Sequence, residues 1–210
     1  MQQANFVFGY GSLIDVANLQ KYLARNLTIL PQSFKLTSRK SFPIADYLFC
    51  NLQGFSRCWN IAMDNSIDLP QYKYYVDSKN NIRSQGFVTF LNIRPDKDKT
   101  ILGILFRVSP SELQQLDRRE RNYQRIDVTH QIDLPITGIV WVYIGLKEAE
   151  QRYQQGIKQG NAMISQSYYH GVYNAYLSLG KKALTNYLMT TEKPTVPIVN
   201  LERRAVDDNY

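Results

Sequence analysis

Histidine and cysteine are scarce in this sequence, which has two of each among 210 residues. Cys50 and Cys58 are eight residues apart and have no neighbouring pair of histidines, so they match neither a zinc site nor a disulfide-rich scaffold. A serine hydrolase would have to take its base from His130 or His170. That class is a minor alternative, because Ser12 does not lie in a Gly-x-Ser-x-Gly nucleophile motif.

Long apolar runs are also missing. No stretch approaches the ~18 consecutive apolar residues that a membrane span needs, and the first residues lack the charged and apolar regions of a secretory signal. The composition, 44% hydrophobic and 20% charged, is ordinary for a globular protein. The sequence therefore predicts a cytoplasmic protein that has no membrane partner.

Basic residues exceed acidic ones, 25 against 18, yet no long lysine or arginine tract is present. The charges are scattered, and their one local concentration is RRERNYQR at 118–125. A scattered excess is typical of a solvated surface, although it can also attract small anions. Nucleic-acid binding would rest on charge alone, so we do not predict a nucleic-acid partner.

Strands outnumber helices in the first 145 residues. Residues 5–9 have the composition of a buried strand, and an apolar helical stripe follows over 13–25. One β-hairpin is predicted from GFVTFLNI and TILGILFRV, across the polar RPDKDK, and a second from IDVTHQIDL and GIVWVYIG. Residues 28–80 indicate irregular strand that ends in a long loop.

After residue 145 the periodicity becomes helical. KEAEQRYQQGI, AMISQSYYHGVYNAYLSL and KKALTNYLMT are predicted helices, and Gly180 suits the left-handed position after the second. The whole pattern indicates an α+β fold, in which a small mixed or antiparallel β-barrel is surrounded by helices. We assign residues 1–145 to the barrel domain and 146–210 to a C-terminal helical extension packed on the same domain.

The stretch GYGSL at 9–13 joins the first strand to the first helix. Gly9 and Gly11 have no Cβ, so the backbone can turn sharply and approach a ligand closely. If Ser12 caps a helix that begins near Leu13, the free N–H groups of its first turn can bind a carboxylate or an oxyanion. The phosphate-binding and dinucleotide-binding glycine motifs are absent. A tight turn of purely structural purpose is the alternative.

A second signal lies in VSPSELQQLDRRE, at 108–120. Ser109, Pro110 and Glu112 match a capping box that starts a short helix. Leu113, Leu116 and Glu120 are spaced by three and four residues, so Glu120 shares a stripe with two leucines that face the core. Desolvation raises the pKa of an acid in such a place and makes it a candidate general acid or base.

The alternative role for this acid is a structural ion pair with a nearby arginine. Arg118, Arg119, Arg121 and Arg125 are all close enough in sequence to neutralise Glu120 or Asp117. Tyr123 and Arg125 are two apart as a new strand begins, so both side chains are predicted on one face. They would supply a hydroxyl donor and a positive charge beside the acid.

Arg57 is a further candidate, because a guanidinium can hold a substrate carboxylate with two parallel hydrogen bonds. The neighbouring Trp59 is predicted in the core. The tyrosines after residue 165 follow a helical pattern and are predicted to pack against the sheet; they are Tyr168, Tyr169, Tyr173 and Tyr176.

Together, YGSL at 10–13, LDRRE at 116–120 and the following NYQRIDV resemble the γ-glutamylcyclotransferase family, including its AIG2-like and ChaC-like relatives. The resemblance covers about residues 5 to 145 and implies a small mixed barrel with helices around it. The LDRRE match is its most specific part. Residues 55–80 and the long C-terminus exceed the smallest members of the family.

The resemblance implies an enzyme that cyclises a γ-glutamyl group to 5-oxoproline and releases the attached amine. Glu120 would be its general base and then acid, and Tyr10, Gly11, Ser12 and Leu13 would hold the glutamyl end. Ring closure needs no metal or cofactor, because its nucleophile is tethered to its electrophile. The partner would be a small γ-glutamyl molecule, while its leaving amine and the oligomeric state stay open. A non-catalytic module that binds a carboxylate metabolite or a peptide is the alternative.

Overall fold

The computed structural model describes residues 3–29 and 46–206. In this part of the chain the helices are α1 (Val16–Leu23), α2 (Pro110–Arg119), α3 (Lys147–Gln159), α4 (Gln166–Ser178) and α5 (Lys181–Thr190). The strands are β1 (Asn5–Gly9), β2 (Thr28–Ile29), β3 (Asp46–Asp64), β4 (Lys73–Asp77), β5 (Phe87–Val108), β6 (Tyr123–Asp127), β7 (Ile139–Gly145), β8 (Ala162–Ser165), β9 (Ile198–Val199) and β10 (Leu201–Ala205). Two short 3₁₀ turns, Ser12–Ile14 and Thr129–Gln131, complete the regular elements.

Eight of these strands form one mixed sheet, which confirms the α+β class. The main path runs β2-β3-β5-β1-β7-β6, while β8 pairs with β5 and β9 with β8. β4 and β10 form a separate antiparallel pair. In the part of the chain that the structure describes, the two end strands of the main path, β2 and β6, do not pair with each other. The sheet is therefore open, and the predicted closed barrel is not formed.

β3 and β5 are long strands that pair antiparallel with each other. The two strands predicted on either side of RPDKDK lie end to end within β5 and both pair with β3, so the first predicted hairpin is wrong. The register shifts where Gln53 opposes Thr100 but Phe55 opposes Pro95. Polar residues between Pro95 and Thr100 thus form an irregularity in a strand that continues, which a sequence pattern does not separate from a turn.

The second predicted hairpin is confirmed in its pairing, because β6 runs antiparallel to β7 with Tyr123 opposite Gly145. β6 ends earlier than predicted. The carboxylate of Asp127 accepts hydrogen bonds from the N–H and hydroxyl of Thr129, at 2.9 and 2.6 Å, and such a local bond turns the chain. His130 consequently lies in a 3₁₀ turn instead of a strand, and it is exposed.

The segment after residue 145 contains strands as well as helices. α3 and α5 agree with the predicted helices, whereas α4 begins only at Gln166. The preceding residues form β8, where Ala162 pairs with Phe87 of β5. β9 and β10 lie in the same segment, so the predicted extension is not wholly helical.

A hydrophobic core joins the sheet to the C-terminal helices. It includes Val7 and Phe106 of the sheet together with Val172 of α4. Tyr176, also on α4, is fully buried, and its ring stacks on Tyr187 of α5 with the centroids 4.5 Å apart. Among the described helices, none combines the length and the apolarity that crossing a membrane requires.

Candidate active site

A cleft of about 680 Å³ lies where distant parts of the chain meet. Four of the elements that line it are α1, the turn between β1 and α1, the end of α2 and the start of β6. The cleft is also lined by β4, by Phe90 of β5, by the first turn of α4 and by β10. The volume falls in the range of small-molecule sites.

A second cavity, of about 30 Å³, lies against the YGSL turn. Tyr10, Gly11, Ser12 and Leu13 all line it. Four residues line both cavities: Ser12, Glu120, Tyr123 and Tyr168. The structure therefore brings the turn, the predicted acid and Tyr123 together, although the turn and the acid are about a hundred residues apart in sequence.

The YGSL turn differs from the prediction in how the chain enters the helix. Ser12–Ile14 is a 3₁₀ turn, and α1 begins only at Val16. The carboxylate of Asp15 caps α1 by accepting from the N–H of Asn18, so Ser12 is not a helix cap. Its hydroxyl instead accepts a hydrogen bond from Arg119 at 3.2 Å. The residues of the first turn of α1 do not line the small cavity, whereas Ser12 and Leu13, which open the 3₁₀ turn, do.

Two buried tyrosines hold the turn in place. The Tyr10 hydroxyl donates to the backbone oxygen of Tyr143 at 2.8 Å. The backbone oxygen of Tyr10 accepts from the hydroxyl of Tyr176, at 2.7 Å. Gly9 is also constrained, because a Cβ there would lie 3.0 Å from both the Cβ and the backbone oxygen of Leu13. The 3₁₀ turn therefore folds back onto β1 at a distance that favours glycine.

Glu120 follows the last residue of α2. The capping box predicted at the other end of this helix is present, with both hydrogen bonds between Ser109 and Glu112. The Glu120 side chain is 14% exposed, and its Oε1 is 3.3 Å from Nε of Arg119. That ion pair lacks hydrogen-bond geometry, and Oε1 has no hydrogen-bond partner among the described residues. Glu120 thus has a buried carboxylate oxygen that lies in an ion pair but makes no hydrogen bond to a described residue.

Asp117, one turn earlier on α2, contacts two side chains through its Oδ1. Its Oδ1 is 2.7 Å from Nε of Arg125 and accepts from the Tyr143 hydroxyl at 2.9 Å. The guanidinium of Arg125 also lies over the ring of Trp141, 5.0 Å from its centroid. Arg125 lines neither cavity. The predicted placement of Arg125 beside Glu120 is therefore wrong, because Asp117 holds it.

Tyr123 and Tyr168 stand beside Glu120. The Tyr123 hydroxyl donates to the backbone oxygen of Leu91 at 2.7 Å. Desolvation by burial raises the pKa of Tyr123 well above its ordinary value, and neighbouring groups that include Glu120 raise it further. Burial and then Glu120 likewise raise the pKa of Tyr168. Both phenols therefore stay protonated near neutral pH.

Arg57 does not line either cavity. It is fully buried, and its terminal nitrogens donate to the Thr190 hydroxyl at 2.5 Å, the Leu102 backbone oxygen at 2.5 Å and the Tyr176 hydroxyl at 2.7 Å. The guanidinium also lies 4.8 Å from the ring centroid of Tyr176. The predicted pairing of Arg57 with a substrate carboxylate is thus replaced by a structural role in the core.

Lys73 and Arg203 were not predicted, and both line the large cleft. Lys73 is half-buried, with its ammonium 4.3 Å from the ring centroid of Phe90. Desolvation lowers the pKa of Lys73 to about 7, and Glu120 partly opposes that change. The signal in the sequence was KYYV, a short run of aromatic and β-branched residues inside a stretch that we interpreted as loop.

Within the described ranges, no group of three or more histidine, cysteine, aspartate or glutamate side chains is placed to hold a metal ion.

A model of the family described as gamma-glutamyl cyclotransferase, AIG2-like, matches residues 65–162. The match includes Glu120 and Tyr123 and leaves the YGSL turn outside. It confirms the resemblance that the sequence motifs indicated and supports a function like that of γ-glutamyl cyclotransferases. No curated protein matches the chain significantly.

Three solved structures are similar to the chain at low identity. A solution structure of an Arabidopsis thaliana protein is 17% identical and covers 75% of this chain and 85% of its own, with a TM-score of 0.41. A γ-glutamyl cyclotransferase specific to glutathione from yeast is 12% identical, with coverages of 92% and 100% and a TM-score of 0.47. An uncharacterized protein from Homo sapiens is 13% identical, with coverages of 75% and 80% and a TM-score of 0.40.

Proposed function

We propose, from the resemblance to γ-glutamyl cyclotransferases and the geometry around Glu120, that this protein cyclises a γ-glutamyl group. The free α-amine attacks the γ-carbonyl carbon, and the bond from that carbon to the substituent nitrogen breaks. The products are 5-oxoproline and the released amine. The observation that carries the proposal is Glu120, which lines both cavities and whose buried Oε1 makes no hydrogen bond to a described residue.

Glu120 moves the proton. Its carboxylate takes a proton from the α-ammonium, which frees the lone pair that forms the ring. That proton then passes to the nitrogen of the leaving amine as the tetrahedral intermediate collapses. The second proton that the ring nitrogen gives up when it becomes a neutral lactam also ends on the released amine, which leaves as an ammonium, so protons balance overall. Its Oε1 supports this role, because an oxygen that already accepts hydrogen bonds would be a poorer base. Asp117 is a poorer candidate, because its Oδ1 pairs with Arg125 and accepts a hydrogen bond from Tyr143.

The YGSL turn stabilises the negative charge that develops on the γ-carbonyl oxygen. The N–H groups of Ser12 and Leu13 open the 3₁₀ turn, so no carbonyl within the turn can accept from them. Ser12 and Leu13 line the small cavity, and Glu120 lines it as well. Backbone donors held in a fixed position near a developing oxyanion lower the barrier, because they need no reorganisation during the reaction.

Release of 5-oxoproline, measured by mass spectrometry, tests the proposal directly. The substrates are γ-glutamyl dipeptides, γ-glutamyl-ε-lysine and glutathione, each incubated with the wild type and with the Glu120→Gln variant. Glutamine keeps the shape of the side chain but does not shuttle a proton, so we expect activity to fall by about 10² to 10⁴. Circular dichroism and thermal unfolding establish that the variant is folded.

A matched control is Glu202→Gln. Glu202 is an exposed acid on β10 that pairs with Arg204, 2.7 Å away, so its loss should leave the activity unchanged. Full activity in a folded Glu120→Gln variant would overturn the assigned mechanism. If the folded wild type released no 5-oxoproline from any substrate, the pocket would instead belong to a module that binds without turnover.

A further inference from the structure

The two-stranded sheet formed by β4 and β10 presents one face to the cleft. In its antiparallel register Tyr75 opposes Arg203, and Lys73 opposes Ala205. Residues two apart on a strand share a face, so Lys73, Tyr75 and Arg203 all lie on the same side of this sheet. All three line the large cleft. Arg204 alternates to the opposite face and pairs with Glu202.

Lys73 and Arg203 are diagonal neighbours within reach of each other's long side chains, and the like charge of Arg203 helps to lower the pKa of Lys73. Neither side chain has an ion pair with any of the described acids. The surroundings of the Lys73 ammonium are the aromatic faces of Phe90 and Tyr72, whose ring centroids are 4.3 and 5.3 Å away. An ammonium over aromatic rings is stabilised, but the positive charge is not neutralised.

The rest of the cleft does not balance this charge. Among the residues that the structure describes, the cleft is lined, besides Lys73 and Arg203, by four basic residues, Lys21, Arg118, Arg119 and Arg121, and by a single acid, Glu120. Arg119 is occupied, because it bonds Ser12 and lies near both Glu120 and the ring of Tyr22. A cleft with six cations and one acid, and low-dielectric walls, concentrates anions.

We propose that Lys73 and Arg203 bind a carboxylate on the part of the substrate that leaves, so that the enzyme prefers γ-glutamyl compounds whose released amine carries a carboxylate. This inference rests on the proposed function. The glutamyl end occupies the wall formed by the YGSL turn and Glu120, and the leaving part extends across the cleft to the face of β4 and β10. A bound carboxylate relieves the repulsion between the two cations and keeps the ammonium of Lys73 protonated.

Two substrates of nearly equal shape isolate the effect of the carboxylate. γ-Glutamylalanine carries it, and γ-glutamylalaninamide replaces it by a neutral carboxamide. We expect kcat/KM of the wild type for the carboxylate to exceed that for the carboxamide by about tenfold or more, because hydrogen bonds to charged groups are the stronger ones. In Lys73→Gln and Arg203→Gln the ratio should fall toward one, because kcat/KM for the carboxylate substrate decreases more than kcat/KM for the carboxamide.

Arg204→Gln is the matched control, because Arg204 is on the same strand but on the opposite face; its ratio should equal that of the wild type. Lys73→Met and Arg203→Met provide second variants if either glutamine variant is unfolded. Equal use of the two substrates by the wild type would overturn the proposal. A preference that persists in folded variants at both positions would overturn the assignment of the residues.

A binding measurement separates this inference from the proposed reaction. Calorimetry on the Glu120→Gln variant measures the affinities of both compounds, because binding can be measured without turnover. If the wild type has no cyclotransferase activity, the reaction is wrong, but tighter binding of the carboxylate that depends on Lys73 and Arg203 would still support the anion site. Equal affinities would remove the site whatever the activity.

Discussion

The core around Arg57 and the cleft around Glu120 both bury a charged side chain, and they treat it differently. Three acceptors hold the terminal nitrogens of Arg57, and two tyrosine rings lie beside it, although its Nε has no hydrogen-bond partner in the described chain. Glu120 lies near Arg119 but leaves its buried oxygen without a hydrogen bond to any described residue. The Arg57 guanidinium therefore links several elements of the fold, whereas the Glu120 carboxylate keeps one oxygen without a hydrogen bond to the described residues.

The comparison predicts that stability and activity depend on different residues. A buried charge that is well bonded stabilises only as long as all of its partners are present. A buried polar group that lacks a hydrogen-bond partner destabilises the folded state. Such a group is retained when it has a function. The following variants test this division, from the largest expected effect to the smallest.

Arg57→Ala should lower the free energy of unfolding by about 3–5 kcal/mol, because it opens a cavity and leaves the acceptors of Thr190, Leu102 and Tyr176 without their donor. Urea unfolding measures the change. Arg94→Ala serves as the control, since Arg94 forms an exposed pair with Glu192 and its loss should cost less than about 1 kcal/mol. Similar costs for the two variants would contradict a structural role for Arg57.

Lys73 should titrate with a pKa of about 7, which is far below the ordinary value for lysine. The cause is desolvation, with Arg203 and Arg119 adding to the decrease and Glu120 opposing it. NMR of the ¹³C-methylated protein measures this pKa, and the spectrum of Lys73→Met assigns the signal. Glu120→Gln should lower the pKa further. A normal lysine pKa would show that the ammonium is well solvated.

The same shift predicts how stability depends on pH. The unfolded chain holds the Lys73 proton up to about pH 10.4, whereas the folded chain releases it near pH 7. Because the unfolded state binds more protons in this window, the contribution of Lys73 to stability rises with pH between about 7 and 10. Lys73→Met should remove that rise. Identical pH profiles for the wild type and the variant would contradict the prediction.

Asp117→Asn should lower the free energy of unfolding by roughly 0.5–1 kcal/mol. The pair with Arg125 is partly exposed, with side-chain exposures of 36% and 29%, so solvent screens most of its attraction. The effect should shrink in high salt, which thermal unfolding at two salt concentrations would show. A loss as large as that of Arg57→Ala would mean that the pair acts as a buried bridge.

Glu120→Gln should change the free energy of unfolding least, by about 0.5 kcal/mol or less. The variant loses an attraction to nearby cations but no longer has to bury a charge, and these two contributions oppose each other. Chemical denaturation measures the sum. The residue with the smallest effect on stability would then have the largest effect on activity. A strongly destabilised variant would place Glu120 with Arg57 among the structural charges.

The sequence predicts the parts of the site that depend on local patterns. The capping box sets the start of α2, and the spacing of three and four residues from its leucines places Glu120 toward the core. β1 and the sharp turn after it are likewise encoded by neighbouring residues. Even there the cap was assigned to Ser12 instead of Asp15, because both residue types favour that position and only the folded backbone distinguishes them.

What the sequence cannot predict is the pairing of distant segments and the direction of side chains on strands buried on both faces. β4 and β10 are more than a hundred residues apart, and nothing local indicates that they pair. Arg57 lies on a stretch of β3 that is buried continuously, so alternation does not show which face it occupies. The RPDKDK segment was ambiguous between a turn and a bulge, because the polar residues of an irregular strand have the same sequence pattern as a turn.

The pairing of β10 with β4 also sets the order in which the site comes into existence. Synthesis proceeds from the N-terminus, so the wall with the YGSL turn and Glu120 leaves the ribosome well before Arg203 does. A nascent chain can thus contain the YGSL turn and Glu120 before Arg203 is available to join Lys73. The face that carries both Lys73 and Arg203 is completed only when β10 pairs with β4.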